Sequence, residues 1–415
     1  MQVVQQEGQS TMRIRFLGMA VSIAALAAAV ACSSVDVTSP ASSTGDGPAN
    51  GQGASTRVAP EQLEAAGNTA NIGFNNAAQV VTDSEGTQHY VFVTGSRVVM
   101  HGSATGSAAD VEPSAVSSGQ GRVSLTAIAA ADGIIVIGWT ETARGDQTSV
   151  YLSESADGGA TWSPPRLLEA GASGLSLAAS GGTVVAAWFV GDDAASEIHF
   201  ASRDRESGEW TAPTRVDGSD AAPLWPAVAA SGESVWVTWR DNRDGAYHVY
   251  LRRSTDGGAT WSSEQEVTRT NTGDPTVCAG DNGVVWLAHH GRGKITVLRS
   301  TDGGATFAEP AVVGNGWFPR LSCEADGDMI LGWEQSEGMD PKADDSKQAA
   351  YVTGSADGTI GPVTVLAETA GTCASVTVRG DGYADAVWVD KGGSDSGAPA
   401  LEGELWHAVV EVAGG

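Results

Sequence analysis

Basic charge is scarce in this sequence. Lys and Arg number 23 against 50 Asp and Glu, a formal net charge of −27. That balance excludes nucleic-acid binding, which clustered cations on phosphates drive. It argues equally against a peripheral site on anionic lipid, and its simplest role is solubility. Cysteine is also scarce, with four in 415 residues, and tyrosine numbers only six. Few segments show the 3.6-residue apolar period of a helix. No apolar run reaches the roughly 20 residues of a membrane helix. What is abundant is glycine, at 54, and tryptophan, at 13. Short β-branched and aromatic runs alternate with Gly, Asp and Ser clusters, the signature of an all-β chain.

The longest apolar run, Phe16–Ala31, follows Arg13 and Arg15 and ends in small residues before Cys32. This is the pattern of a secretory leader, and Met12 offers a second start. Ala29-Val30-Ala31-Cys32 resembles a bacterial lipobox. The resemblance implies removal of residues 1–31 and lipidation of Cys32, with an ordinary leader as the alternative. Residues 32–54 are rich in Ser, Gly and Pro, too poor in apolar groups to fold, and read as a tether. The expectation is an exported bacterial lipoprotein at the outer membrane or cell surface, its membrane contact confined to the lipid.

Residues 55–415 repeat. STDGGATW at 254–261 recurs as SADGGATW at 155–162 and STDGGATF at 300–307. Worn copies start at Ser202 and Ser355. The five Asp positions 157, 204, 256, 302 and 357 are spaced by 47, 52, 46 and 55. Trp139, Trp188, Trp239, Trp333 and Trp388 each end an apolar run in phase with the boxes, and His289 takes that position once. A short strand and a turn precede each run, and QVVTDSEG at 79–86 followed by HYVFV supplies one more. The result is seven units of about 49 residues, each reading strand, turn, strand, loop, strand, box, short strand. Four antiparallel strands at this period describe a blade of a β-propeller. Seven blades in one domain are preferred, or six if the first or last unit is a closing extension. The last unit has only three strands, so residues near 55–59 are expected to supply its fourth and close the ring.

The box resembles the Asp-box, or BNR repeat, of the sialidase (neuraminidase) superfamily. Its residue types suit a tight turn: glycines for positive φ, an Asp that bonds its own backbone, and a Trp that seals the blade. Asp157, Asp256 and Asp302 are therefore read as structural. In the family the boxes lie opposite the active site, so function is sought on the other face, in the loops after each Trp and before each first strand. Units four to six bring Trp225, Arg240, Asp241, Arg243, His289, His290, Arg292, Trp317, Phe318 and Arg320 to that face. Aromatics beside guanidinium groups suit sugars, carboxylates or peptides. Equally, the Trp residues could plug the mouth and the Arg residues pair with neighbouring Asp. His289 reads as packing, and two adjacent His residues without a third ligand predict no metal. No cofactor is expected, and the chain is expected to be a monomer.

Active sialidases carry an Arg-Ile-Pro motif, further carboxylate-binding arginines and a Tyr–Glu nucleophile pair. No Arg-Ile-Pro occurs in this chain. Asp241 and Glu334 are the pair to suspect if a two-carboxylate hydrolase survives. The leading expectation is a noncatalytic module whose partner is a glycan or a protein. A diverged hydrolase and a purely structural partner in a surface assembly are the alternatives. Cys278, Cys323 and Cys373 fall on innermost strands. Export permits a bridge, but neighbouring blades are expected to hold these strands beyond the roughly 7 Å that a disulfide spans, so packed thiols are favoured.

Overall fold

The computed structural model describes residues 56–63, 70–71, 77–95, 97–105, 113–143, 145, 147–192, 194–269, 271–336, 347–366, 371–390 and 404–412. The expected leader, Cys32 and the tether lie outside the described residues. Every described element is a strand, and all pairings are antiparallel.

The architecture is a β-propeller of four-stranded blades. In unit four, Leu224–Ser231, Ser234–Asp241, His248–Ser254 and Gln265–Glu266 pair in chain order. Units two and three repeat this order. The second strand of each blade is buried on both faces, which explains its almost continuous apolar run. Trp139, Trp188, Trp239, Trp333 and Trp388 are at most 1% exposed, and His289, in the equivalent position, is 4% exposed. His289 is thus a packed core residue, as expected. Burial drives its imidazole down to about 4, so it is neutral at pH 7.

Seven separate four-stranded sheets, the preferred expectation, are not what the hydrogen bonding gives. Units five and six fuse into one seven-stranded sheet through the 13-residue strand Ala311–Cys323. Its first half pairs with Lys294–Ser300 and its second half with Met329–Gln335. Unit one has five strands, because Ala70–Asn71 and Val80–Thr82 both pair with Gln88–Thr94. In unit seven, Thr56–Gln62 pairs with Glu404–Glu411 as the outer strand.

Innermost strands of neighbouring units are joined by hydroxyl groups. Ser176 Oγ accepts from Val228 N at 3.2 Å, and Thr276 Oγ1 accepts from Leu321 N at 3.3 Å. Ser322 Oγ accepts from Val378 N at 3.1 Å, and Ser375 Oγ accepts from Gln79 N at 3.1 Å. Each bond satisfies a backbone donor that no ladder partner reaches.

One expectation about these strands fails. Cys278 and Cys323 form a disulfide, with Cα atoms 5.5 Å apart. The innermost strands crowd together near the axis: a Cβ on Gly280 would lie 2.6 Å from the backbone of Gly327. The spacing assumed from sequence was too wide for this pair. The side chain of Cys373 lies outside the described residues.

The three boxes are built identically. Asp256 Oδ1 accepts from Thr260 N at 2.8 Å and Ser254 Oγ at 2.7 Å, and Oδ2 accepts from Thr260 Oγ1 at 2.6 Å. Ser254 Oγ in turn accepts from Gly258 N at 2.8 Å. Asp157 and Asp302 repeat these contacts. Donors from the following Thr and preceding Ser hold the Asp157 and Asp256 carboxylates near pKa 2, so they are ionised.

The second glycine of each box has a further job. A Cβ on Gly258 would lie 2.2 Å from the Phe200 ring, and one on Gly159 would lie 2.1 Å from the His101 ring. A Cβ on Gly304 would lie 3.1 Å from Trp236 Nε1. Each box therefore seats a ring of the preceding unit against bare backbone. His101 is the odd ring of the three. It bonds His89 at 3.0 Å, and His89 bonds Asp83 at 3.1 Å.

Candidate functional site

Two hydrogen-bond patterns define two faces. On the first, box turns join the turns between first and second strands, as Gly257 N donates to Glu233 O at 2.9 Å. On the second, Thr272 N donates to Tyr247 O at 2.9 Å, joining the loop after Trp239 to the entry into unit five. The second is the loop face, and the residues expected there divide into three groups.

The first group is a row from units three to five, whose residues reach the unit that follows each. It is set by one register position, the residue directly after the buried Trp or His: Phe189, Arg240 and His290. The pleat turns this residue away from its Trp neighbour and toward the next unit. Phe189 meets Trp225 edge-on, with ring centroids 5.7 Å apart. Arg240 Nη1 lies 3.0 Å from Asp274 Oδ1, and its guanidinium sits 4.7 Å above the Tyr247 ring. His290 packs edge-on against Trp317 at 5.1 Å and Phe318 at 5.7 Å. Gly273 lies flat on the imidazole, where a Cβ would come within 1.8 Å of Nε2.

Burial and the Arg240 charge hold the His290 imidazole below its usual range, against the pull of Asp274, so it is neutral at pH 7. Its Nδ1 is buried without a hydrogen-bond partner among the described residues, as is Trp317 Nε1. Buried polar atoms of this kind are uncommon and call for an explanation. Trp225 and Phe318 also share a backbone feature. Both have φ of 54°, beside a register shift at the start of a first strand. Left-handed backbone at a bulky residue is strained, and such strain collects at functional sites. The bulge re-aims the ring out of the pleat.

The second group consists of ion-paired side chains. Asp241 is fully buried, 2.6 Å from Arg243, which also reaches Glu264 and stacks 4.0 Å above the Tyr250 ring. Glu334 is fully buried, 2.8 Å from Lys347 Nζ. The third group is dispersed. Arg320 is 2% exposed and donates to Ala374 O of unit seven at 2.8 Å. Arg292 sits in the exposed turn between two strands of unit five, with φ of 52°. The arginines of this face are thus engaged at different points rather than gathered on one anion.

Sequence reasoning missed Asp274, Tyr247, Phe189 and Lys347. A signal for Phe189 was present: reading one residue past every buried Trp position yields the whole row. Asp274 stands in the loop before unit five, but only the fold shows that it faces Arg240.

A groove of about 390 Å³ lies on the opposite, box face between units four and five, lined in part by Trp236, Arg253, Trp261 and Asp302. It is remote from the row. Trp236 Nε1 and Arg253 Nη1 both donate to Gly303 O, at 2.9 and 3.2 Å. That makes it a seam between packed units.

Comparison with known proteins agrees with this architecture. Residues 132–331 match the BNR repeat-like domain, a stretch that contains all three boxes. A structure of a protein of unknown function from Dyadobacter fermentans superposes with a TM-score of 0.52 at 15% identity, covering 71% of this chain and 95% of that one. The polysaccharide lyase Uly1 gives 0.52 at 10% identity, covering 83% and 90%. The Hadza microbial sialidase Hz136 gives 0.48 at 16% identity, covering 66% of each chain. No curated protein matches the chain. The fold and the boxes define the class, a propeller built of Asp-box repeats. Residues 132–331 of this β-propeller carry BNR-like repeats.

Proposed function

We propose that this propeller is a noncatalytic glycan-binding module, exported and held at the cell surface by a lipid on Cys32. The observation that carries the reading is the row on the loop face. Trp225, Trp317 and Phe318 offer partly exposed rings on units four and six, with Phe189 packed edge-on against Trp225 and the Arg240–Asp274 pair and the neutral His290 between them. Sugars are recognised by such a mixture, apolar ring faces for C–H surfaces and a few fixed polar groups for hydroxyls. The ring closes in seven angular units, on this reading. Ala311–Cys323 serves two blades, and Thr56–Gln62 supplies the outer strand beside Glu404–Glu411. The bond from Gln79 N to Ser375 Oγ supports the same closure.

Hydrolysis is the lesser reading. Asp241 and Glu334 are each fully buried and ion-paired, which suits neither a proton donor nor a nucleophile that must meet solvent and substrate. The test is a glycan array with the purified protein, run beside a fluorogenic sialoside and a panel of aryl glycosides. Binding without turnover, lost in Trp225→Ala and Trp317→Ala, is the expected result. Turnover abolished by Asp241→Ala would replace it with the hydrolase. Silence in both assays would point to a protein partner, sought by crosslinking on intact cells.

A further inference from the structure

We propose that Asp244, His248 and Glu266 form a divalent-cation site on the rim of unit four, with zinc the ion that suits them. The inference is independent of the glycan reading. The absence of metal expected from sequence rested on His289 and His290, and His248 is a different residue on a different strand.

Three neighbouring pieces of backbone supply the ligands. Asp244 comes from the loop after Asp241, His248 starts the third strand, and Glu266 ends the short fourth strand. One ligand atom from each lies within 4.8 Å of the other two. His248 Nδ1 and Glu266 Oε1 are already 2.8 Å apart. Tetrahedral zinc, with bonds near 2.0–2.1 Å, spaces its ligands by about 3.3 Å. The cluster needs only side-chain adjustment to reach that spacing. One imidazole and two carboxylates are a borderline nitrogen and oxygen set that suits zinc over calcium or magnesium.

Two further features support the site. The Tyr250 hydroxyl lies 3.3 Å from Asp244 Oδ2, an outer contact that orients the ligand. The His248 side chain is 13% exposed while Asp244 is exposed, so the ion has an entry and one coordination position stays open to water. Two cations stand nearby. Arg243 is neutralised by Asp241 and Glu264. Arg269 pairs with Glu266 Oε2 at 3.1 Å but is 85% exposed and free to swing away. Such an ion would pin the loop that carries Tyr247, the platform beneath Arg240.

The experiment is calorimetric titration of zinc chloride into the chelator-treated protein, with thermal melts in parallel. Expected are one zinc per chain, a raised melting temperature, and affinity weakened about tenfold or more in His248→Gln and in Glu266→Gln. Asp244→Asn, at an exposed position, serves if His248→Gln fails to fold. Arg269→Ala is expected to tighten binding severalfold by removing the competing cation. No saturable binding, or binding unchanged in these ligand variants, would overturn the site.

Discussion

His101 gives the chain an acid sensitivity that can be worked out in advance. The ring lies beneath Gly159 of the next unit's box, 2% exposed, stacked on His89 and edge-on to Trp162. Burial, with a smaller push from His89, drives its pKa from 6.5 down to about 3. The native state therefore holds a neutral imidazole where the unfolded chain takes up a proton. Stability is complete above pH 6.5, falls as pH drops below it, and is fully lost only below about 3. At pH 5 the unfolded ring lies 1.5 units below its ordinary pKa of 6.5, a loss of about 2 kcal/mol at 1.36 kcal/mol per unit. His101→Phe isolates this contribution, because Phe200 already fills the matching seat beneath Gly258. The assay is urea unfolding at pH 7.5 and pH 5. The wild type should lose about 2 kcal/mol more than the variant between the two. The comparison uses the difference in pH response, so a general cost of the substitution cancels. Equal losses in the two proteins would refute the argument.

Three other outcomes are expected. Gly257→Ala meets a φ of +67° with only Glu233 Oε2 nearby, whereas Gly258→Ala adds a 2.2 Å collision with Phe200. The first should cost about 1 kcal/mol and the second at least about 2 kcal/mol more, read by chemical denaturation. Cys278→Ser with Cys323→Ser opens a crosslink of sequence separation 45, and should lower unfolding stability by about 2–4 kcal/mol. Gly273→Ala drives a methyl into the His290 ring, and should abolish glycan binding while the far-ultraviolet circular dichroism stays native.

The architecture was legible because repetition multiplies a weak signal. One SxDGGxTW turn is only a hairpin hint, but three in phase with five buried tryptophans leave few alternatives to stacked blades. The role of Asp256 could be argued from residue types alone, since all its bonds fall within its own eight residues. The second box glycine could not, because the ring that forbids its Cβ comes from another unit, some 58 residues away in the case of Phe200 and Gly258. The disulfide failed for a related reason: strand separation near the axis depends on the closeness of Gly280 and Gly327, which no local pattern encodes. The fused sheet was missed because AVVGNGWFPRLSC reads as two strands with a glycine break, yet the backbone passes through as one. Site residues were legible as a face and illegible as a geometry. Arg243, Arg240 and Arg320 look alike in a list, and the fold sends them to Glu264, Asp274 and the Ala374 carbonyl.

The shared strand Ala311–Cys323 has a mechanical meaning. Units five and six are welded twice, once by that continuous backbone and again by the Cys278–Cys323 bond. Units seven and one meet through noncovalent contacts only among the described residues, the bond from Gln79 N to Ser375 Oγ and an apolar cluster that includes Val80, Tyr90, Val387 and Leu405. A load on the propeller finds a crosslinked arc in units five and six and an uncrosslinked contact between units seven and one. Under force or mild denaturant the propeller should part first at that contact, and the arc from Pro275 to Val365 should be the last to lose its sheet.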